Sequence, residues 1–381
     1  MDRSLNLSLV TETMSAKGLT QTALAAKLGL TKAAVSKWIN GDAFPRPPEL
    51  LKLGKALGLG HAQLVAPAGP SPLEPVVAFR KRASTKTTAD HIAHAKEMGR
   101  LLAPVVKHLP FDRFLSAPRL KNPVLDYRYL QGLVGELRRD LKLSPDGPIK
   151  FTDLIGKFAE LQAVIVPVLW GRKTRHENAL HIYLPESETT WIYLNLDSHL
   201  HDFKFWMAHE LGHVLAVDLL KSETMEEAED FSDAFAGSLL YPEAAAKPAY
   251  AQYATCSTDA QRLRLVVAQA TRHVISPNSV YREIENYAGS KGLPFAALPQ
   301  GTLFAEIAAF NKAHPSVSEH LFDGKKPSAD HFMRVCAENF KTPIFAALSA
   351  YLKASPQSDA VVSRILDVPL ADAKELRQAL A

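Results

Sequence analysis

The sequence predicts a mainly α protein with one small β-sheet, an α+β chain of two or three domains. Three observations lead there. The chain has 381 residues, more than one domain usually holds. Apolar residues recur at helical spacing over most of both ends. Strand-like runs, β-branched and aromatic, occur only near the middle, in "AVIVPVLW", "ALHIYL" and "TWIYLNL".

An apolar fraction of 47% and a charged fraction of 22% are ordinary for globular proteins, so a sizeable core can form. The net charge of +4 is mild and does not by itself demand a polyanionic partner. Cys256 and Cys336 stand far apart and outside any CxxC pair. That argues against a disulfide framework or a thiolate metal site and suits a reducing compartment. The first residues, "MDRSLNLSLVTETMSAKG", lack a charged-then-apolar signal pattern, and no apolar run reaches membrane-spanning length. A cytoplasmic protein with no membrane partner is expected.

Residues 1–65 form the first unit. Leu24, Ala25 and Leu28 keep helical spacing, and Gly29 closes that helix. Thr31 is a natural N-cap for the next helix, which holds Val35, Trp38 and Ile39. Pro45, Pro47 and Pro48 mark a loop, and Leu50, Leu51, Leu53 and Leu57 a final amphipathic helix. Two short helices joined by a glycine turn are helix-turn-helix grammar. Lys32, Ala33, Ser36 and Lys37 would face the major groove, and Gln21 opens the preceding helix, where free N–H groups can hold a phosphate. A small helical dimerisation domain would share this pattern. Within residues 1–60, however, Lys and Arg outnumber Asp and Glu by eight to four, which favours DNA.

Residues 66–88 read as a linker, Pro- and Ala-rich in "APAGPSPLEPVVA" and then basic in "FRKRASTK". Arg80, Lys81, Arg82 and Lys86 either graze DNA phosphates or form a solvated charge run. Residues 89–149 read as a helical connecting region, with helices from about 89 to 108 and 127 to 141. Residues 150–250 hold a helix, the three strand candidates with a polar turn "PESET", and long helices around 201–220 and 224–240. The strand "ALHIYL" is either a sheet edge open to an extended peptide or an ordinary core strand. Residues 251–381 read as a helical C-terminal domain, regulatory or dimerising, with Asp323, Gly324 and Lys325 in a turn.

The stretch "FKFWMAHELGHVLAVD" carries the chemistry. His209 and His213, at i and i+4, share one helix face and can offer two imidazoles to one ion. Glu210 sits beside the first and could serve as general base. The neighbours Phe205, Trp206, Met207, Ala208, Leu211, Val214 and Leu215 are apolar, so the helix is buried, and unpartnered histidines there would be costly. A third ligand must come from elsewhere. A metzincin would place a histidine six residues after His213, where Leu219 stands. In "EEAEDFSDAFAGSLLYP", Glu229 and Asp233 lie opposite Phe231, Phe235 and Leu239 on a helix covered on both sides. Glu229 is read as the third ligand and Asp233 as the acceptor that orients a ligating histidine. Glu226, Glu227 and Asp230 compete, and the acidic run also suits a solvated helix start.

Two resemblances rest on these residues. "LTQTALAAKLGLTKAAVSKWINGDAFP" resembles the Cro/cI-type (Xre) helix-turn-helix family over roughly residues 7–62. The resemblance implies DNA contacts at Gln21, Thr31, Lys32, Ser36 and Lys37, while Ala33 and Ala34 lack the reach for base contacts. "NLDSHLHDFKFWMAHELGH" followed by "EDFSDAFAGSLLYP" resembles the ImmA/IrrE metallopeptidases, of gluzincin-like type, over about residues 150–245. Asn195, Phe205, Ala208, Leu211, Gly212, Phe235, Ala236, Leu239, Leu240 and Pro242 match besides the ligands and the base. Trp206, Met207 and Phe231 depart from the pattern and are read as narrowing the cleft.

The resemblance implies Zn2+ as cofactor, with His209, His213 and Glu229 as ligands and Glu210 as base. It also implies limited cleavage of a helix-turn-helix repressor by a transcriptional regulator bound to an operator, on double-stranded DNA and able to form a homodimer. His176, His181, His199, His201, Tyr193 and Tyr241 are candidate oxyanion or substrate groups. The competing reading is a DNA-binding factor whose peptidase fold senses or scaffolds without hydrolysis.

Overall fold

The computed structural model describes residues 4–40, 43–66, 74–81, 88–111, 119–170, 177–220 and 225–381. The chain divides into two compact units, Met1–Glu74 and Pro75–Ala381.

In the first unit, helix α1 (Leu7–Ala16) is capped by Asn6, whose side chain accepts from Leu9 N–H. Helix α2 (Gln21–Leu28) is capped by Thr20 and closed by Gly29, at φ 70° in the left-handed region that favours glycine. Thr31 caps α3 (Lys32–Ile39), accepting from Ala34 N–H at 3.2 Å. Helix α4 (Pro47–Leu57) starts on two prolines, and a single turn, α5 (His61–Leu64), follows. Val10, Met14, Leu24, Leu28, Val35, Trp38, Leu50, Leu53 and Leu57 form its core. Strands β1 (Ser4–Leu5) and β2 (Val65–Ala66) pair antiparallel and tie the two ends of the helical array together. Two-residue strands carry no periodicity, so nothing in the sequence announced them.

The second unit is built on a four-stranded mixed sheet in the order β3-β5-β6-β4. Its strands are β3 (Val76–Lys81), β4 (Val164–Val168), β5 (Glu177–Leu184) and β6 (Thr189–Asn195). β3–β5 and β5–β6 run antiparallel, and β6–β4 run parallel. Two expectations change here. Part of the expected linker, Val76–Lys81, is a strand, because Val76, Val77 and Ala78 find apolar cover on both faces of the sheet. Arg80 and Lys81 belong to that strand, while Arg82 and Lys86 lie outside the described residues. As a result "ALHIYL" is interior, hydrogen-bonded on both sides, and is not an edge open to a peptide.

Helix α6 (Ala89–Val106) covers one face of the sheet. It comes so close that a Cβ on Gly99 would lie 2.5 Å from Pro75 Cβ and 3.1 Å from Ile182 Cγ2. Helices α7 (Tyr127–Asp140) and α8 (Phe151–Glu160) precede the central strands. On the opposite face lie α9 (Leu200–Leu215), the single turn α10 (Val217–Leu220) and α11 (Met225–Leu240). Nine more helices follow among the described residues. They are α12 (Glu243–Thr255), α13 (Asp259–His273), α14 (Pro277–Ser290), α15 (Gln300–Lys312), α16 (Val317–Phe322), α17 (Ala329–Phe340), α18 (Ile344–Ala354), α19 (Asp359–Leu366) and α20 (Leu370–Leu380).

The stretches set apart at 89–149, 150–250 and 251–381 share one continuous core that runs from Val77 to Leu380. Polar ties reinforce it. Tyr193 Oη donates to Ile365 O at 2.6 Å, Trp170 Nε1 to Asp367 O at 3.2 Å, and Thr342 Oγ1 to Ile165 O. The changes of texture along the chain therefore mark elements of one fold, not separate folding units.

Candidate metal centre and nucleic-acid face

Helix α9 is buried almost all round, with His209, Glu210 and His213 at most 1% exposed. Leu211, Val214, Met207 and Phe203 anchor it in the core. The i, i+4 spacing sets the rings of His209 and His213 4.6 Å apart, centroid to centroid, nearly perpendicular. Helix α11 packs against α9 at a point where both carry small residues. A Cβ on Gly212 would lie 3.0 Å from Ser232 Cα and 3.2 Å from Phe235 Cδ1. This close approach lets a short acidic side chain cross from one helix to the other.

Three residues on one face of α11 meet the two histidines. Glu229 presents Oε1 3.2 Å from His213 Nε2 and Oε2 3.5 Å from His209 Nε2. Asp233 Oδ1 sits 2.8 Å from His209 Nδ1, and Ser232 Oγ 3.0 Å from His213 Nδ1. Both Nδ1 atoms are thus held from outside, and both Nε2 atoms face the Glu229 carboxylate. That inner arrangement lacks hydrogen-bond geometry: His209 Nε2 and both Glu229 oxygens are buried without a hydrogen-bond partner among the described residues.

One ligand atom each from His209, His213 and Glu229 lie within 4.8 Å of one another, a set that can hold a metal ion. Two imidazole nitrogens, each ring held at its Nδ1, and one carboxylate are a donor set that fits a divalent metal ion.

The charges agree with that fit. Burial disfavours the ionised Glu229, yet the facing His209 and His213 override it and hold its carboxyl well below the usual range. Burial lowers His209, but Asp233 and Glu229 outweigh it and push the ring up to about 9. His213, further from Asp233, is lowered by burial. The site is therefore strongly attractive to one positive charge between Glu229 and the two rings.

Glu226, Glu227 and Asp230 lie toward solvent and take no part in this cluster, which leaves Glu229 in contact with both rings. Of the further candidates among the described residues, only His181 reaches the centre. It stands on β5, fully buried, with Nδ1 3.2 Å from Glu210 Oε2 and its ring 5.5 Å from that of His213. Burial pushes it down to about 3, so the ring is neutral.

Tyr193 is spent on Ile365 O, and His201 packs between Phe310 and His314. His199 is the N-cap residue of α9 and bridges to Ser316. Tyr241 packs on His273. His176 lies outside the described residues. Met207 and Phe231 are core residues, at most 1% exposed, and do not wall a cleft. Trp206 is half-buried, with its ring 6.2 Å from that of His209. Asn195 ends β6, where its Oδ1 accepts from Trp170 N–H and Asp197 N–H and shapes the turn.

In the first unit, Lys32 and Lys37 are exposed on α3 and Ser36 is half-buried. The exposed Thr31 uses its oxygen to cap α3, leaving its O–H free to donate. Gln21 is the first residue of α2, half-buried at its N-terminus. Ala33 is exposed between them and offers only a methyl group.

The site chemistry and the fold agree with two family matches. Residues 14–64 match the model described as helix-turn-helix, of Xre type, and residues 169–276 match the IrrE N-terminal-like domain of a peptidase family. No curated protein and no solved structure matches the chain at a significant level.

Proposed function

We propose that this chain is a DNA-binding regulator that also hydrolyses peptide bonds with zinc, cutting a repressor protein at a limited site. The observation that carries the reading is the convergence of His209, His213 and Glu229 within 4.8 Å, with Glu210 beside them. His209, His213 and Glu229 would hold the ion. When bound, zinc supplies a Lewis acid that polarises the scissile carbonyl and makes water a nucleophile near neutral pH.

The protein's own groups do the rest. Asp233 accepts from His209 Nδ1–H and Ser232 from His213 Nδ1–H, so each ring keeps its Nε2 lone pair turned inward. Glu210 would take the proton of the attacking water and pass it to the leaving amine. Surrounding apolar residues keep the site dry and strengthen these interactions.

In the first unit, α3 would enter the major groove with Lys32, Ser36 and Lys37 toward base edges or phosphates. Gln21 and Thr31 would hold the backbone. A DNA-bound regulator with a peptidase in the same chain is suited to substrates that are themselves DNA-bound, and DNA as partner implies the cytoplasm. No helix among the described residues is long and apolar enough to cross a membrane.

The decisive experiment compares wild-type and Glu210→Gln cells by intact-mass analysis of their proteins. A fragment pair present only in the wild type identifies the substrate. Identical profiles, with zinc bound in both proteins, would overturn the peptidase reading and leave a DNA-binding sensor. Native protein without zinc, unaltered by His209→Ala, would overturn the metal assignment.

A further inference from the structure

We propose that His181 is the positioning residue of the base: its Nδ1–H donates to Glu210 Oε2 and fixes the direction in which that carboxylate works. The inference rests on the catalytic reading of Glu210.

The geometry starts from the sheet. β5 is an interior strand, held by Ala78 on one side and Ile192 on the other at the level of His181. Two ladders leave its backbone no room to drift. Alternation along the strand turns His181 toward α9, while Ile182 turns toward α6. The imidazole therefore projects from a strand paired on both sides onto the helix that carries the base. It is fully buried, its Nδ1 lies 3.2 Å from Glu210 Oε2, and its ring meets that of His213 edge-on.

The proton position follows from elementary electrostatics. A carboxylate oxygen and a bare ring nitrogen are both acceptors, and at this separation they repel. A proton on Nδ1 converts the contact into a hydrogen bond to an anion, a strong class. Nε2 is buried with no hydrogen-bond partner among the described residues. A bare acceptor there costs less than an unpartnered N–H donor would, so the same tautomer is favoured twice.

A histidine does here what other donors could not. Lysine or arginine would place a full charge against the base and weaken it. A neutral imidazole gives one directed bond and leaves the carboxylate its charge. Glu210 has three rotatable bonds, and a donor from a rigid strand removes much of that freedom.

The test uses full-length protein labelled with 15N-histidine and loaded with zinc. The His181 signals are assigned by their loss in His181→Asn. Long-range 1H–15N spectra should show the Nδ1–H tautomer, and its Nδ1 signal should move in Glu210→Gln. An Nε2–H tautomer, or an Nδ1 signal indifferent to Glu210→Gln, overturns the proposal. This readout stands whether or not the protein proves to be a peptidase.

A second arm measures turnover of a fluorogenic peptide library. His181→Leu should lower kcat about 10–100-fold with KM and zinc content unchanged. His181→Asn, whose Nδ2 can occupy the place of Nδ1, should recover most of the loss. A wild type that cleaves nothing in this arm, with the expected tautomer in the first, would sink the peptidase reading alone. Loss shared equally between Leu and Asn variants would overturn the positioning role.

Discussion

Glu283 of α14 offers a sharp test of how this fold handles charge. Its side chain is almost wholly buried, with Oε1 accepting from Asn286 Nδ2 at 3.0 Å and Oε2 without a hydrogen-bond partner among the described residues. It leans on Gly237 of α11, where a Cβ would come within 2.5 Å of Oε1. Burial pushes the carboxyl from its ordinary 4.5 up to about 8, and the Asn286 bond offsets little of this. The native state therefore keeps a proton that the unfolded chain releases above about pH 4.5.

The sign follows from that difference. Stability from this group is complete below pH 4.5, falls as pH rises through the window to about 8, and is level beyond it. At about 1.4 kcal/mol per pH unit, the loss is on the order of 5 kcal/mol across the window. Glu283→Gln keeps the shape and has no proton to lose. Urea unfolding followed by tryptophan fluorescence should show the two proteins nearly equal near pH 4.5 and the variant more stable by a few kcal/mol at pH 8. A difference that stays constant with pH, or a more stable wild type at pH 8, would refute the reasoning.

Asp233→Asn should weaken zinc binding about 10–100-fold in a chelator competition, because Asn cannot hold His209 Nδ1–H as a carboxylate does. Gly212→Ala should cost about 1–3 kcal/mol and lower zinc affinity together, since its Cβ would sit 3.0 Å from Ser232 Cα and force α9 and α11 apart. Calorimetry and a zinc titration on the same sample check this pair of effects. Lys32→Ala and Lys37→Ala should each reduce the salt dependence of DNA binding by about one counterion in the log–log slope, measured by fluorescence anisotropy. An unchanged slope would remove α3 from the DNA interface.

How much of this was legible in the sequence depends on the range of the interaction. The i, i+4 histidine pair, the cap at Thr31 and the stop at Gly29 are local, and the structure places them on helices as their spacing implies. Glu229 and Asp233 were legible because a helix converts spacing into a shared face, and the observed distances to His209 and His213 follow. Ser232 was legible by the same rule, one position before Asp233, but serine on a helix carries too many ordinary roles to stand out. β3 was hidden because its six residues follow a Pro-rich stretch, and only pairing with β5 across about a hundred residues gives them a partner. His181 was one histidine among several, and whether β5 lay at an edge or inside the sheet could not be read from its own sequence. The single core shared by residues 77–380 was likewise out of reach, because separate and continuous cores use the same apolar periodicity.

The order of residues on α11 explains why the second helix must be this one and in this register. Glu229, Ser232 and Asp233 occupy i, i+3 and i+4, so all three turn toward α9 within little more than one turn. Each has a different atom to meet: Glu229 the two Nε2 atoms, Asp233 the Nδ1 of His209, Ser232 the Nδ1 of His213. Ser232 also has to be small, because Gly212 of α9 packs directly on its Cα. Sliding α11 by one residue would break all of these contacts at once and drive Phe231 or Phe235 against the histidines. The register is therefore fixed by packing and by the polar contacts together. From the opposite side His181 holds Glu210, so the two histidines and the glutamate of α9 are each gripped from an element other than their own. Two histidines placed on a helix by chance would not require so many separate constraints, and this concentration of them is what supports the proposed metal centre.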